Sequence, residues 1–431
     1  MKRICFSLCL LCLLLVACKE EPTNTSGDFL SDNPALANTT TENAMPKSKK
    51  RGVSFKISTM QDAFLLSNCI SWFYNWANTN PSMDATSWLD ANDIDFCPMC
   101  WNGNYSKDAI RQYVKEHPNT KYLLGFNEPN LTDQANMTPA KAAELWPDVL
   151  ALAKELNLKL GAPALNYGTL SGYSDPVKWL REFTNIVGAD AYDFIPLHCY
   201  MTNCSGVQGM VNSFDMFNKP IWMTEFCAWE IGSVETQKTY MASVLNYFES
   251  CPKIERYAWF MPRMSGSLNS KPYNQLLTKM DPIQWTPLGE IFNGMSSLDK
   301  SVCITSSFPI SAHWYTDFSD VSPCVTNSTD TIEDKTNKLM VYNFMAGRYM
   351  QYQVDCRKAS SQLNFRYATS VPTILLVYVD GKLVKNVNLP TTGGMSKFST
   401  YAISDVAIKG KHYVRFEVQD GTINFSWFQF K

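Results

Sequence analysis

The sequence predicts an α/β protein in which a (β/α)8 TIM barrel is followed by an antiparallel β-sandwich. Eight short apolar runs recur between residues 51 and 298, and helical stretches separate them. After Asp299 the pattern changes to alternating apolar and polar residues. Strands that alternate with helices are typical of a parallel barrel, whereas period-two strands with tight turns are typical of a sandwich.

The eight apolar runs have the length of buried strands. They occupy residues 53–55, 70–74, 94–99, 122–125, 158–162, 194–198, 220–226 and 256–260. A (β/α)8 barrel typically takes about 250 residues, so residues 51–298 suffice for one. A doubly wound sheet is the alternative, but the Gly-rich phosphate loop of that fold is missing from the sequence.

Helices are predicted between the runs by capping signals and by apolar spacing. Thr138 is expected to cap a helix that has Pro139 at its first position. Apolar residues then recur on one helical face, and the same spacing returns after the fifth and the seventh run.

The second domain is predicted to cover residues 305–431, with the boundary between 298 and 305. Its strand candidates are residues 350–354, 362–367, 375–379, 398–403, 413–419 and 424–430. Asp380 and Gly381 form a hairpin signal directly after the third of these. Short strands with such turns predict a β-sandwich.

The amino terminus indicates export. Residues 1–17 have two basic residues followed by an apolar run, which is the composition of a signal peptide. The segment that ends at Cys18 resembles the bacterial lipobox, in which the cysteine becomes lipidated. Residues 18–50 are polar and predict a disordered tether. We therefore expect an outer-membrane lipoprotein that faces the cell surface and contacts the membrane through its lipid.

Composition limits the possible partners. The formal net charge is −2 and there is no basic tract, so nucleic-acid binding is not expected. Aromatic residues make up 13% of the chain, which suits the stacking of flat rings on sugars, although most of these rings are expected in the core. A monomer is expected.

The cysteines leave two interpretations open. Ten cysteines follow Cys18, and in an exported protein they can form disulfides or remain as buried thiols. The less favoured alternative is a zinc site, because structural zinc sites usually show two close cysteine pairs. Its candidate ligands are Cys97, Cys100, His198, Cys199 and Cys204. No metal and no cofactor are predicted.

Two glutamates stand at the carboxyl ends of predicted strands. Glu128 follows the fourth run, between Asn127 and Pro129, and Glu225 lies near the end of the seventh. In one barrel these strand ends open on the same face. The pair can then act on a glycosidic bond as acid/base and nucleophile, which for retention requires a separation of about 5 to 5.5 Å. The acid needs a raised pKa and the nucleophile must stay ionised.

Seven segments in the barrel region resemble glycoside hydrolase family 128, in the order of that family. They are residues 51–54, 72–76, 98–101, 125–130, 198–200, 222–226 and 257–260. The resemblance implies a retaining endo-β-1,3-glucanase, with Glu128 as acid/base and Glu225 as nucleophile.

Several residues around the two glutamates are expected to bind substrate. Asn127 can bind the sugar 2-hydroxyl, and His198 and Tyr200 can orient Glu225 or hold the substrate. Aromatic platforms are expected at Trp76, Trp101, Trp229 and Trp259. The last is favoured because the resemblance implies a sugar-stacking Trp at the end of strand eight.

The second domain resembles family 6 carbohydrate-binding modules. Segments at 312–319, 347–352, 379–382, 392–398 and 424–428 carry the resemblance. Asn424 matches the ligand-binding Asn of that family, and Tyr349 is a further candidate. His313 and Met395 depart from the family pattern, which usually has Glu and often Trp at these positions.

The leading hypothesis is therefore an endo-β-1,3-glucanase that cleaves laminarin-like β-glucans. Three alternatives stay open at this point: a surface glycan-binding lipoprotein without turnover, a glycosidase for β-1,4 or mixed β-1,3/1,4 linkages, and a purely structural surface protein.

Overall fold

The computed structural model describes residues 46–80, 82–264, 272–279, 282–327 and 339–431. The predicted signal peptide, Cys18 and nearly all of the predicted tether lie outside these residues. In the described part of the chain, no helix combines the length and the apolar character that a membrane crossing requires.

Eight parallel strands form the barrel, as predicted. They are β1 (Arg51–Ser54), β2 (Trp72–Tyr74), β3 (Asp95–Phe96), β4 (Tyr122–Leu123), β5 (Lys159–Leu160), β6 (Ile195–Cys199), β7 (Ile221–Phe226) and β8 (Ile254–Trp259). The order β3-β2-β1-β8-β7-β6 forms one sheet, and β4 pairs with β5. Isolated parallel bridges from Met99 to Leu124 and from Gly161 to Phe194 connect the two parts, so the ring of strands closes.

Helices connect the strands and surround them. They are α1 (Met60–Ser67), α2 (Met83–Ala91), α3 (Lys107–Glu116), α4 (Pro139–Glu155), α5 (Pro176–Val187), α6 (Cys204–Ser213), α7 (Val234–Ser250) and α8 (Pro287–Gly294). The predicted cap of α4 is present, since the Thr138 side chain accepts a hydrogen bond from the Lys141 N–H. Such caps satisfy backbone donors that the first helical turn leaves unpaired.

The amino-terminal end of the barrel is closed by a charged and aromatic plug. The Arg256 guanidinium lies 4.4 Å from the ring centre of Tyr122 and 4.8 Å from that of Trp222. It also pairs with Asp95 at 2.8 Å. All four residues lie near the beginnings of their strands, so the opposite end, where the strands finish, is left for the chemistry.

The described residues of the second domain form ten strands in one sheet. They are β9 (Ile304–Thr305), β10 (Ile310–Ser311), β11 (Asp317–Ser319), β12 (Ser322–Val325), β13 (Leu339–Met345), β14 (Tyr349–Thr369), β15 (Thr373–Val379), β16 (Lys382–Leu389), β17 (Gly394–Asp420) and β18 (Thr422–Phe430). Among the described residues these strands pair antiparallel, except that β9 runs parallel to β14.

The sheet of the second domain folds over into two facing layers. Phe416 lies opposite Met350 on β14, and Phe428 lies opposite Phe365 on the same strand. Positions 350 and 365 would be about 50 Å apart on a straight strand, yet the rings of Phe416 and Phe428 are 4.9 Å apart. The strand therefore doubles back, which gives the predicted sandwich.

Two predicted pairs of strands are in fact single long strands. Residues 350–354 and 362–367 both belong to β14, and residues 398–403 and 413–419 both belong to β17. Register shifts mark the bends, which alternation of side chains does not reveal. The turn at Asp380 and Gly381 is as predicted, with φ of 50° and 76°, the left-handed values that a type I′ hairpin needs.

The barrel and the second domain are joined through α7 and the end of α8. Both lie in one compact unit. The Tyr315 hydroxyl donates to Asn246 Oδ1 at 2.6 Å, and Asn246 Nδ2 donates to the Val321 carbonyl at 3.2 Å. Ser296 adds a bond of 2.9 Å to the Tyr315 carbonyl. These bonds fix the orientation of the two domains.

A histidine is buried at this junction. His313 Nε2 lies 3.3 Å from the Gly294 carbonyl, which also accepts a hydrogen bond from Trp314. Its Nδ1 has no partner among the described residues. Burial lowers the pKa of His313 to about 4, because an apolar junction disfavours the charged ring.

This burial predicts a loss of stability between pH 6.5 and pH 4. The unfolded chain takes up the proton near pH 6.5 and the folded chain only near pH 4, so the free energy of unfolding falls as the pH is lowered through this window. At pH 5 the expected loss is about 2 kcal/mol relative to pH 7. His313→Gln, which keeps a donor for Gly294, should lack this component in urea titrations. An equal pH dependence of both proteins would contradict the assignment.

Candidate active site

Glu128 is held at the barrel mouth by a left-handed backbone. It follows β4 with φ of 44°, and its side chain is buried. A non-glycine residue in this region costs roughly 1 to 2 kcal/mol, so the surrounding structure must impose it. The Glu128 N–H donates to the Ala164 carbonyl at 2.9 Å, and the Asn127 N–H donates to the Trp101 carbonyl at 2.8 Å. Bonds to both neighbouring strand ends thus fix the direction of the carboxylate.

Glu225 lies within β7 and receives three hydrogen bonds. The Tyr74 hydroxyl donates to Oε1 at 3.0 Å, and Trp76 Nε1 donates to the same oxygen at 2.8 Å. The Tyr200 hydroxyl donates to Oε2. A carboxylate that only accepts is stabilised in its ionised form by such donors.

His198 links the two glutamates. Its Nδ1 lies 2.9 Å from Glu128 Oε1 and 3.5 Å from Glu225 Oε1. One oxygen of each carboxylate and one nitrogen of the imidazole all lie within 4.8 Å of one another. The carboxylates are therefore much nearer to the separation of about 5 to 5.5 Å of retaining glycosidases than to the 6.5 Å or more of inverting ones.

The pKa values of the two glutamates are pushed in opposite directions. Burial raises the pKa of Glu225 above its ordinary value, and the negative charge of Glu128 raises it further. The charge of His198 and the hydrogen bonds from Tyr200 and Trp76 lower this pKa, but only in part. Burial also disfavours ionised Glu128, but the charge of His198 and hydrogen bonds from His198 and Asn166 outweigh it and lower the pKa.

This order is the reverse of the sequence expectation, in which the acid/base has the raised pKa. Two causes combine: burial raises the pKa of Glu225, and His198 lies nearer to Glu128 than to Glu225. Burial works against a positive His198, yet the charges of Glu225 and Glu128 outweigh it and raise the pKa of the imidazole. The two carboxylates thus favour the protonated form of His198, next to Glu128.

Four aromatic residues form a wall beside Glu225. The ring of Phe260 lies 5.8 Å from Trp76, 5.7 Å from Tyr200 and 6.0 Å from Trp229, measured between ring centres. All four residues are partly exposed. Of the predicted platforms, Trp76 and Trp229 therefore lie at the site.

Trp259 was expected to be the best platform, and this prediction is wrong. Its side chain is 0% exposed, Nε1 donates to the Asn274 carbonyl at 2.7 Å, and the ring packs against Phe226 at 5.1 Å. The next residue, Phe260, takes the place at the site. Successive side chains on a strand face opposite sides, and sequence alone did not fix which of two adjacent aromatics faces inward.

Asn127 and Trp101 lie beside Glu128. Asn127 is 3% exposed, and its Nδ2 donates to Gln134 Oε1 at 3.2 Å. Its Oδ1 has no partner among the described residues, which leaves an acceptor for a ligand. Trp101 is partly buried against the barrel interior.

Sequence reasoning missed Asn166. Its Nδ2 donates to Glu128 Oε1 at 3.2 Å from the segment after β5. A single Asn between a Leu and a Tyr carries no motif. The two segments come together in the fold, where Asn127 bridges to Ala164.

The zinc alternative is not supported in the described part of the chain. There the cysteines are free thiols, and the group with metal-ligand geometry is Glu128, His198 and Glu225, without any cysteine. In that group the hydrogen bonds run from donors into carboxylate oxygens. Such an arrangement suits the sharing of a proton better than the binding of a cation, since ligands must present lone pairs to a metal.

The two predicted sugar-binding residues of the second domain are engaged within the protein. Asn424 is buried, its Oδ1 accepts from the Asn343 N–H at 3.1 Å, and its Nδ2 donates to the Met395 carbonyl at 2.7 Å. The Arg415 guanidinium covers the ring of Tyr349 at 3.7 Å. The structure therefore contradicts the prediction that Asn424 is presented to a ligand, and one ring face of Tyr349 is occupied.

Removal of the imidazole charge should raise the pKa of Glu128. His198→Asn keeps a donor near the position of Nδ1 but cannot be positive, so we expect the Glu128 pKa to rise. Carbon NMR titration of labelled glutamate carboxyls measures this. His117→Asn, which affects a ring paired with Asp90 on the outer helices, is the matched control. An unchanged Glu128 titration in His198→Asn would contradict the electrostatic account.

Comparison with known proteins identifies both parts of the chain. Residues 52–292 match the family described as the glycosyl hydrolase catalytic core, and residues 326–430 match the family 35 carbohydrate-binding modules. The expected resemblance of the second part to family 6 modules is not confirmed. Alkali-sensitive linkage protein 1 of Schizosaccharomyces pombe is 27% identical over 237 residues, which are 52% of this chain and 40% of that protein. The chain thus spans about two fifths of the length of this curated relative.

Two solved structures share the barrel. Both are endo-β-1,3-glucanases of glycoside hydrolase family 128, subgroup II. The protein from Pseudomonas viridiflava is 35% identical with a TM-score of 0.53, over 57% of this chain and 98% of that one. The protein from Sorangium cellulosum is 31% identical with a TM-score of 0.51, over 57% and 99%. Because the match to the catalytic core covers more than half of the 431 residues, the chain belongs to the glycosyl hydrolase catalytic core family and is a glycoside hydrolase.

Proposed function

We propose that this glycoside hydrolase is a retaining endo-β-1,3-glucanase, with Glu225 as nucleophile and Glu128 as acid/base. The observation that carries the proposal is the pair of buried carboxylates whose oxygens lie within 4.8 Å of each other across His198. The similarity to two endo-β-1,3-glucanases of family 128 supports the linkage. We propose laminarin-like β-glucans as the substrate.

In the first step Glu225 attacks the anomeric carbon while Glu128 protonates the leaving oxygen. A bond forms between the carbon and a Glu225 oxygen, and the glycosidic bond breaks with its electron pair on the departing sugar. The three donors around Glu225 favour its ionised form and orient it before the attack. In the second step Glu128 takes a proton from water, which attacks the same carbon and releases Glu225.

His198 supplies the proton that Glu128 needs at the start. The pKa of Glu128 is lowered in the free site because His198 is positive. Transfer of the Nδ1 proton across the 2.9 Å hydrogen bond leaves a neutral imidazole and a protonated Glu128. This arrangement gives one acid and one carboxylate without any net change of charge in the site.

The partly exposed rings of the aromatic wall stack against the sugar next to Glu225. The N–H of Trp76 and the hydroxyl of Tyr200 donate hydrogen bonds to Glu225. These residues therefore present mainly their ring faces to the substrate. The free Oδ1 of Asn127 accepts the sugar 2-hydroxyl, a contact that strengthens in the transition state. Chemistry through two carboxylates requires no cofactor or metal, and the absence of both stays a prediction.

We further propose that the enzyme acts outside the cell as a monomeric lipoprotein. The sequence of residues 1–17 and Cys18 supports export and lipidation, and the polar composition of residues 18–50 supports a tether. The barrel of residues 51–298 would then reach extended glucan beyond the lipid surface.

Loss of either glutamate should abolish turnover. We expect Glu225→Gln and Glu128→Gln each to lower kcat on laminarin by at least about a hundredfold, because one loses the nucleophile and the other the proton donor. Reducing-sugar assays measure the rate, and proton NMR of the wild-type reaction should show the β-anomer first.

Glu144→Gln is the control, since this glutamate is exposed on α4 and pairs with Lys141. Full activity in either active-site variant, or initial α-product, would overturn the proposed mechanism. Preference for a β-1,4-glucan over laminarin would overturn the proposed linkage alone.

Replacement of Phe260 should disturb Glu225 through its donors. In Phe260→Leu the rings of Trp76 and Tyr200 lose a common contact, so their hydrogen bonds to Glu225 weaken and its pKa rises. We expect kcat/KM to fall about tenfold and the acid limb of its pH profile to move to higher pH. Phe260→Tyr should restore both properties.

Phe183→Leu is the matched control, because Phe183 is buried on α5 against Trp179 and Trp146, away from the wall. It should lower stability without moving the acid limb. An unmoved acid limb in Phe260→Leu would show that Phe260 does not position the donors.

A further inference from the structure

A cleft of about 440 Å³ lies between the barrel and the second domain. One wall comes from α6 and α7, with Gln208 and Tyr247, and the other from strands β11 to β13 and the segments that join them. Ligand sites typically have volumes of about 300 to 1,000 Å³ and occur preferentially at domain junctions. The cleft is separate from the glutamate pair, since none of its lining residues belongs to that site.

The cleft presents an exposed aromatic ring and unused hydrogen-bonding groups. Tyr342 is 42% exposed on β13, at the point where the register of β13 with β18 shifts. Among the described residues, the Tyr342 hydroxyl and the side-chain amides of Gln208 and Asn343 make no hydrogen bond. A flat ring beside amide and phenol groups offers what a sugar requires, namely an apolar face to stack on and donors and acceptors for hydroxyls.

The charges that line the cleft favour a neutral ligand over an anionic one. Arg348 pairs with Asp320 at 2.5 Å and donates to the Asn343 carbonyl at 3.1 Å. The guanidinium is thereby neutralised and fixed. A neutral, hydroxyl-rich ligand fits these walls better than a phosphate or a carboxylate does.

The cleft is preformed. The bonds from Asn246 to Tyr315 and Val321 tie α7 to the second domain directly beside it. Its walls therefore need little rearrangement when a ligand enters, which reduces the entropic cost of binding.

The second domain matches carbohydrate-binding modules, yet Asn424 is occupied within the protein. We propose that the cleft lined by Tyr342, Asn343 and Gln208 is a second glycan site, which holds a neutral β-glucan segment against both domains. The identity of this glycan rests on the proposed function. The site keeps one part of a polymer bound while another part occupies the barrel, which raises the local substrate concentration.

The number of binding sites tests the proposal. Titration calorimetry with laminarihexaose is performed on Glu225→Gln, which binds glucan in the barrel without turning it over. We expect two sites per chain. Adding Tyr342→Ala should leave one site, whereas adding Tyr342→Phe, which keeps the ring, should leave two.

Tyr413→Ala is the matched control, since Tyr413 is 45% exposed in the same domain but outside the cleft. It should leave both sites intact. One site in the parent, or two sites in Tyr342→Ala, would overturn the proposal. Hydrolysis of laminarihexaose by the wild-type enzyme separates this proposal from the proposed function. If the proposed function is wrong, the wild-type enzyme does not hydrolyse laminarihexaose. If only the second site is wrong, hydrolysis is retained and the number of binding sites differs from the expected one.

Discussion

The active site depends on one interaction, the contact of the His198 imidazole with two buried carboxylates. Two negative charges within 4.8 Å of each other in a buried site repel strongly. A positive imidazole between them offsets part of this repulsion, and the donors Tyr74, Trp76 and Tyr200 stabilise what remains on Glu225. Because His198 is closer to Glu128, it also contributes to the lowered pKa of Glu128, while burial raises the pKa of Glu225.

The barrel holds the residues of this site in position. The left-handed backbone at Glu128 is held by bonds to the neighbouring strand ends, and the donors of Glu225 come from the ends of β2 and β6. The opposite end of the barrel is filled by Arg256 and its aromatic neighbours. The same closed ring of strands thus provides a rigid floor at one end and a convergent set of polar groups at the other, which is the usual division in this fold.

The barrel fold and the pairing of the two glutamates were predictable from the sequence. Glu128 and Glu225 follow apolar runs, and the carboxyl ends of barrel strands meet on one face, so their proximity followed from the order of runs. Which of Trp259 and Phe260 faces the cleft could not be predicted, because a shift of one residue along a strand exchanges the core side and the cleft side. The relative pKa values of Glu128 and Glu225 could not be predicted either, since they depend on distances from His198 that no sequence pattern contains.

The second domain shows the same limit. Period-two patterns located its strands and the turn at Asp380, but not the bends that join two predicted segments into β14. Asn424 matched a family position, while its burial and its bonds to Asn343 and Met395 arise from folding. Exposed Tyr342 carries no motif, and its neighbourhood appears only when α7 is placed beside β13.

Covalent trapping tests the central claim most directly. A 2-deoxy-2-fluoro-laminaribiosyl fluoride slows both steps of a retaining mechanism, and the fluoride leaves readily enough for the sugar ester to accumulate. Mass spectrometry of the digested enzyme should locate the added sugar on the peptide that contains Glu225. A label on Glu128, or inactivation without any covalent label, would contradict the account of this site.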